Sequence, residues 1–93
     1  MSPRILSRIR RPVLGQQYIV TIHADDEMNA DDLTVQDLER IVLTGEIVER
    51  QRDASTSEYK YTIRGRDLEG SAAEVIARIS TTGKVVFIAV YSF

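Results

Sequence analysis

Six apolar residues in a row, Val85-Val86-Phe87-Ile88-Ala89-Val90, constrain this chain more than any other stretch. The run is far short of the ~20 residues that cross a bilayer. It is rich in β-branched and aromatic side chains, which suit strands. Successive strand residues point to opposite faces, so a strand that is apolar at every position must be covered on both, internal to a sheet. The segment before it has the opposite character. Within Glu58–Arg66, Tyr59, Tyr61 and Ile63 alternate with Lys60, Thr62 and Arg64, the signature of a strand with one wet face.

Turn signals join these pieces. Thr81-Thr82-Gly83 has the length and the glycine of a three-residue hairpin loop between Ala72–Ser80 and Lys84–Phe93. Asp67–Ser71 turns at Gly70, and Asp53-Ala54-Ser55-Thr56-Ser57 is a polar connection back to a short, mixed strand, Glu46–Arg52. The spacing predicts a four-stranded antiparallel meander. Ile88 is expected in its core.

Upstream the period changes. Val35, Leu38, Ile41 and Val42 trace one helical face, predicting a helix over Val35–Thr44 with Leu38 in the core. Thr34 is a good N-cap, and Asp37 three residues on resembles the acidic half of a capping box. Gly45 is expected as a left-handed C-terminal residue. Gln17–Ile22 has strand character, and His23–Ala30 reads as a short helix burying Ala24 and Met28, with Asp25, Asp26 and Glu27 in its first turn. Helices first and strands after predict an α+β domain over residues 18–93, its helices packed on one face of the sheet. At 93 residues one modest core is expected.

Charge is segregated along the chain. Residues 1–22 carry Arg4, Arg8, Arg10 and Arg11 and no acid, whereas residues 23–39 carry seven acids and no Lys or Arg. Residues 1–17, interrupted by Pro3 and Pro12 and ending near Gly15, read as a flexible basic arm whose short apolar side, Ile5-Leu6-Ile9, stops at Pro12. Its sharper reading is a basic segment for RNA, DNA or an acidic partner. No signal-type apolar core of ~7–15 residues precedes residue 17. The absence of cysteine excludes disulfides and thiolate zinc sites, and it fits a cytoplasmic location.

The candidate chemistry centres on His23, the single histidine. His23 and Glu27 share a helical face, but one imidazole without cysteine leaves zinc short of ligands, and a calcium loop drawn from Asp25 to Asp31 lacks its required glycine and final glutamate. A hydrolase elbow and a phosphate-cradling glycine motif are both missing. No cofactor and no metal are therefore expected. Metal-independent RNA cleavage needs less: a proton-transfer group near a ribose hydroxyl and cations where phosphate charge develops. Lys60, Arg64 and Arg66 project from one side of one strand, and Arg78 joins them from the next. Tyr91 adds a hydroxyl and a stacking ring. The plainer reading is that these cations keep the water side of an antiparallel sheet soluble, with Glu58, Glu74 and the seven-acid segment counteracting the stripe.

From about Tyr18 to the C-terminus the chain resembles the bacterial and archaeal family called domain of unknown function 4258. The resemblance runs through Thr21-x-His23-Ala24, Met28, Leu33-Thr34 ahead of the Asp37 helix, Gly45-Glu46-Ile47, Arg64-Gly65, and a closing hairpin ending in Val90-Tyr91. It implies a fold of the RelE, MqsR and barnase kind, messenger-RNA cleavage by a toxin-like protein, and a small zinc-ribbon antitoxin as partner. His23, Arg64 and Tyr91 stand at positions matching the pattern. Two positions that commonly hold arginine in the family are Glu27 and Asp31 here. Two function classes thus remain open. One is a metal-independent endoribonuclease with His23 as acid/base, Arg64 on phosphate, Tyr91 positioning substrate, and Lys60, Arg66 and Arg78 binding RNA. The other is a non-catalytic interaction module on the same scaffold, meeting a basic partner or the Arg-rich segment of a second copy in a homo-oligomer.

Overall fold

The structure is a computed structural model and describes residues 3–56 and 58–93. Met1, Ser2 and Ser57, which the sequence reading assigned to the arm and to the polar connection, lie outside the described residues. The chain runs α1 (Pro3–Leu14), β1 (Tyr18–Val20), α2 (Ile22–Ala30), α3 (Val35–Thr44), β2 (Glu46–Arg52), β3 (Tyr59–Arg66), β4 (Ala72–Ile79) and β5 (Val85–Ser92). The strands form one sheet in the order β1-β5-β4-β3-β2.

The α+β class is as expected, but the sheet is mixed and five-stranded rather than a four-stranded antiparallel meander. β1 pairs in parallel with β5, Tyr18 against Val85 and Val20 against Phe87, while the other three pairings are antiparallel. The doubly apolar β5 therefore lies inside the sheet, between β1 and β4. Tyr18 holds β1 in place by an edge-on contact with Phe87, centroids 5.4 Å apart, and by a 2.7 Å hydrogen bond from its hydroxyl to Glu39 on α3. Burial, then the hydrogen bond and charge of Glu39, push the Tyr18 phenol up to about 12. It is thus a neutral donor at any physiological pH.

One face of the sheet carries Tyr61, Ile63, Val75, Ala77, Val85 and Phe87, which form the core with Leu38, Ile41 and Val42 of α3. Helix α1 belongs to this core as well. Where the sequence reading placed a flexible arm, residues 3–14 are helical, and Ile9 and Val13 are fully buried. Ile5, Ile9 and Val13 recur every four residues, and this stripe seats the helix. Pro12 does not end α1, which continues to Leu14. It sits in the last turn, where its missing N–H forfeits one internal hydrogen bond close to a solvent-exposed end. Arg10 fastens α1 to α3 by donating to the Val42 carbonyl at 3.1 Å and the Gly45 carbonyl at 2.5 Å. Those carbonyls lie at the end of α3, where intrahelical donors run out.

Helix α3 matches its expected bounds and carries the capping box of Thr34 and Asp37. Gly45 departs from expectation. Its φ of −93° is extended rather than left-handed. Glycine is required there by space: a Cβ at Gly45 would lie 2.5 Å from the Arg64 carbonyl oxygen and 2.6 Å from that of Ile41. A Cβ at Gly65 would likewise collide with the Ile41 carbonyl. The end of α3 and β3 thus meet backbone to backbone, which gives Gly45-Glu46-Ile47 and Arg64-Gly65 a packing role.

Candidate functional site

Among the described residues no helix packs across the opposite face of the sheet, and the candidate residues lie on that face or at its β5 edge. Register explains the arrangement. Arg64 on β3 pairs with Glu74 on β4, and Glu74 with Tyr91 on β5, so Arg64, Glu74 and Tyr91 form one cross-strand row. Arg64 donates through Nη2 at 2.6 Å and Nε at 2.8 Å to the same Glu74 oxygen. Its guanidinium also lies 5.5 Å from the centre of the Phe93 ring, within cation–π range.

His23 occupies a second place. Thr21 caps α2 by accepting from the Ala24 N–H, and its hydroxyl donates to the Ile88 carbonyl. Helix α2 therefore continues along the β5 edge where β1 stops. One turn after His23, a Glu27 carboxylate oxygen accepts the Val90 N–H at 3.0 Å and lies 3.3 Å from His23 Nε2. Glu27 thus fills an edge hydrogen bond that β1 is too short to supply. His23 remains 70% exposed while its Glu27 partner is 22% exposed. The i,i+4 spacing of His23 and Glu27 was visible in sequence; the anchoring on Val90 was not.

The predicted RNA-binding residues divide between two hollows. Lys60 and Arg78 line a groove of about 470 Å³ with Thr21, Glu58, Val86 and Ile88. Both are already paired, Lys60 with Asp53 at 3.5 Å and Arg78 with Glu58 at 3.5 Å. The Ser55 hydroxyl and amide hold the Asp53 carboxyl below its ordinary range, with Lys60 adding to them, so Asp53 stays anionic beside Lys60. Arg66 and Arg64 line the other hollow, about 360 Å³, with Gly45, Glu46 and Gly65. Arg66 donates to the Gly70 carbonyl at 2.8 Å.

The structure therefore brings Arg64 and Tyr91 into one row, places the His23–Glu27 pair beside the residue preceding Tyr91, and sets Lys60 and Arg78 together in a neighbouring groove. No direct hydrogen bond joins His23 to Arg64 or Tyr91 among the described residues. Glu74 was legible in sequence as a counterweight to the cations, but its direct pairing with Arg64 and the place of Phe93 against that guanidinium were not; cross-strand register carries both relationships. Asp31 lies apart from His23 in an acid-rich hollow with Asp32, Asp37, Asp67 and Glu69. Among the described residues, no group of three or more His, Cys, Asp or Glu is arranged to hold a metal ion. No described helix is long and apolar enough to cross a membrane.

No curated protein and no solved structure matches the chain. The family model described as Domain of unknown function (DUF4258) matches residues 20–92, which takes in α2, α3 and β2 through β5, reaches only the last residue of β1 and leaves α1 outside. The chain belongs to that domain-of-unknown-function family.

Proposed function

We propose that this chain is a metal-independent endoribonuclease of the toxin type, acting in the cytoplasm and restrained by a small zinc-ribbon antitoxin. The observation that carries this reading is the His23–Glu27 pair, with Glu27 pinned by the Val90 N–H. An Nε2–H donated to the Glu27 carboxylate leaves the Nδ1 lone pair as a proton acceptor on an exposed ring. Nδ1 takes the proton of a ribose 2′-hydroxyl. The 2′ oxygen then bonds to phosphorus, and the bond from phosphorus to the 5′ oxygen breaks. The leaving oxygen takes a proton from solvent, giving a 2′,3′-cyclic phosphate and a 5′-hydroxyl end. Glu27 stabilises the imidazolium formed on the way. Arg64 faces the phosphate with Nη1, the nitrogen not engaged by Glu74, and Tyr91 offers its half-exposed ring to a base. Lys60, Arg66 and Arg78 serve flanking phosphates. The RelE, MqsR and barnase relationship implied by the sequence resemblance belongs to this proposal.

The test uses purified protein, labelled RNA, low salt and EDTA. Cleavage leaving cyclic-phosphate ends, abolished in His23→Ala and Arg64→Ala with thermal unfolding nearly unchanged, is expected. Protein that neither binds nor cuts RNA would overturn the reading.

One observation favours a non-catalytic interaction module instead. Arg64, Lys60 and Arg78 are each matched to a carboxylate, Glu74, Asp53 and Glu58. A face neutralised in this way attracts a phosphate backbone weakly. Intact cellular RNA after induced expression of the wild type would support that alternative.

A further inference from the structure

Helix α1 has a second face, opposite the stripe that seats it. Arg4, Ser7, Arg8 and Arg11 follow one another at i, i+3, i+4 and i+7 and, with Pro12, line a groove of about 330 Å³ against Ile79 and Gly83 of the β4–β5 hairpin. Arg10, one position off this face, is held by the α3 carbonyls, so the helix is fixed and its outer arginines are presented rather than loosely tethered. Arg8 and Arg11 are exposed, and among the described residues no carboxylate lies within ion-pair distance of either. This sets them apart from the sheet-face cations Arg64, Lys60 and Arg78. In a chain of net charge −2, residues 1–22 hold no acid at all. The positive field is therefore concentrated at α1.

We infer that the α1 groove is a docking site for the phosphate backbone of single-stranded RNA, an inference that rests on the RNA reading of the neighbouring sheet. At 1.5 Å per residue, Arg4 to Arg11 spans about 10.5 Å of helix, about three phosphates at the ~3.4 Å axial rise of a stacked strand. Guanidinium groups grip phosphate oxygens in a fixed fork, which suits arginine rather than lysine for a short row of contacts. The row reads no base, so it supplies affinity and orientation without sequence preference. Because α1 lies outside the family match, the docking helix is an addition to the shared α2–β5 scaffold.

The experiment measures fluorescence anisotropy of a labelled single-stranded oligoribonucleotide against full-length wild type, the double variant Arg8→Gln/Arg11→Gln, and His23→Ala with and without that pair. Both arginines are exposed, so thermal unfolding should be unaffected and serves as the folding control. The double variant is expected to bind about tenfold more weakly at about 50 mM salt, with a slope of log affinity against log salt shallower by about 1.4. In the His23→Ala background, where the RNA stays uncut, the same two arginine substitutions should cost the same factor. That result supports docking at α1 whether or not the RNA is cut, whereas binding without cleavage by wild type would sink the nuclease alone. Equal affinity and slope for wild type and the double variant would overturn the α1 site. So would loss of a wild-type dimer in the double variant without loss of RNA binding, which would assign this face to a second copy of the chain.

Discussion

Glu27 accepts the Val90 N–H at 3.0 Å, tying the middle of α2 to the free edge of β5. β1 covers that edge only as far as Phe87, and the Thr21 hydroxyl reaches one residue further, to the Ile88 carbonyl. The glutamate completes the cover. Glu27→Ala leaves a backbone donor without its acceptor and is expected to cost about 1–3 kcal/mol, whereas Glu27→Gln keeps an acceptor oxygen and should cost less than about 1 kcal/mol. Urea midpoints report the stability, and hydrogen exchange of the Val90 amide reports the contact. Equal midpoints for Ala and Gln would remove the edge-capping role.

Gly65 and Ile41 set the distance between α3 and β3. A methyl group at position 65 meets the Ile41 carbonyl, a backbone atom that cannot rotate aside as a side chain would. Gly65→Ala should therefore destabilise by roughly 3 kcal/mol or more, at the upper end of overpacking effects. Gly83→Ala offers the contrast. Its Cβ would meet nothing within 4 Å, and only the left-handed φ of +88° is strained. It should lose about 1 kcal/mol. A Gly65→Ala midpoint as high as that of Gly83→Ala would show that the helix can lift off without loss.

Asp37 gives the fold a defined acid dependence. Its carboxylate accepts from the Thr34 N–H and hydroxyl and, through the other oxygen, from the Leu68 N–H, linking the start of α3 to the β3–β4 turn. The Thr34 and Leu68 amides, outweighing burial, hold its carboxyl below the usual value of 3.8. The unfolded chain then takes up this proton at a higher pH than the folded one. The contribution is complete above the unfolded pKa and fades as pH falls through the folded value. The stability gap between wild type and Asp37→Asn should be constant above about pH 5 and narrow below about pH 4. A gap independent of pH down to about pH 2 would mean that the carboxylate charge contributes nothing.

Local chemistry was readable and remote pairing was not. Thr34, Asp37 and the Val35–Thr44 periodicity announce α3 because a helix closes its hydrogen bonds within itself. The doubly apolar Val85–Val90 run announces an internal strand for an equally local reason. β1 has three residues, and its parallel partner β5 lies more than sixty residues away, so nothing in Tyr18-Ile19-Val20 names that partner. In α1 four arginines and two prolines mask the Ile5-Ile9-Val13 stripe. At the candidate site the residue types and the counteracting acids were visible but the individual pairings were not. That Arg64 faces Glu74 depends on β3–β4 register. Glu27 resembled a solvated acid because its second partner is a backbone N–H 63 positions away.

The core itself offers the last test, with one expectation revised. Leu38 and Phe87 are fully buried, so Leu38→Ala should cost about 2–5 kcal/mol and Phe87→Ala about 3–5 kcal/mol. Ile88, read from sequence as a core residue, is only half-buried. In the β4–β5 register Ile76 faces Ala89 and Ala77 faces Phe87, which leaves Ile88 as the extra residue of a bulge, lining the outer groove. A half-buried isoleucine beside open space leaves no closed cavity when truncated, so Ile88→Ala should cost about 1–2 kcal/mol. Denaturant midpoints for the three variants decide the order. If Ile88→Ala is as damaging as Phe87→Ala, the bulge is misplaced and β5 pairs with β4 without interruption.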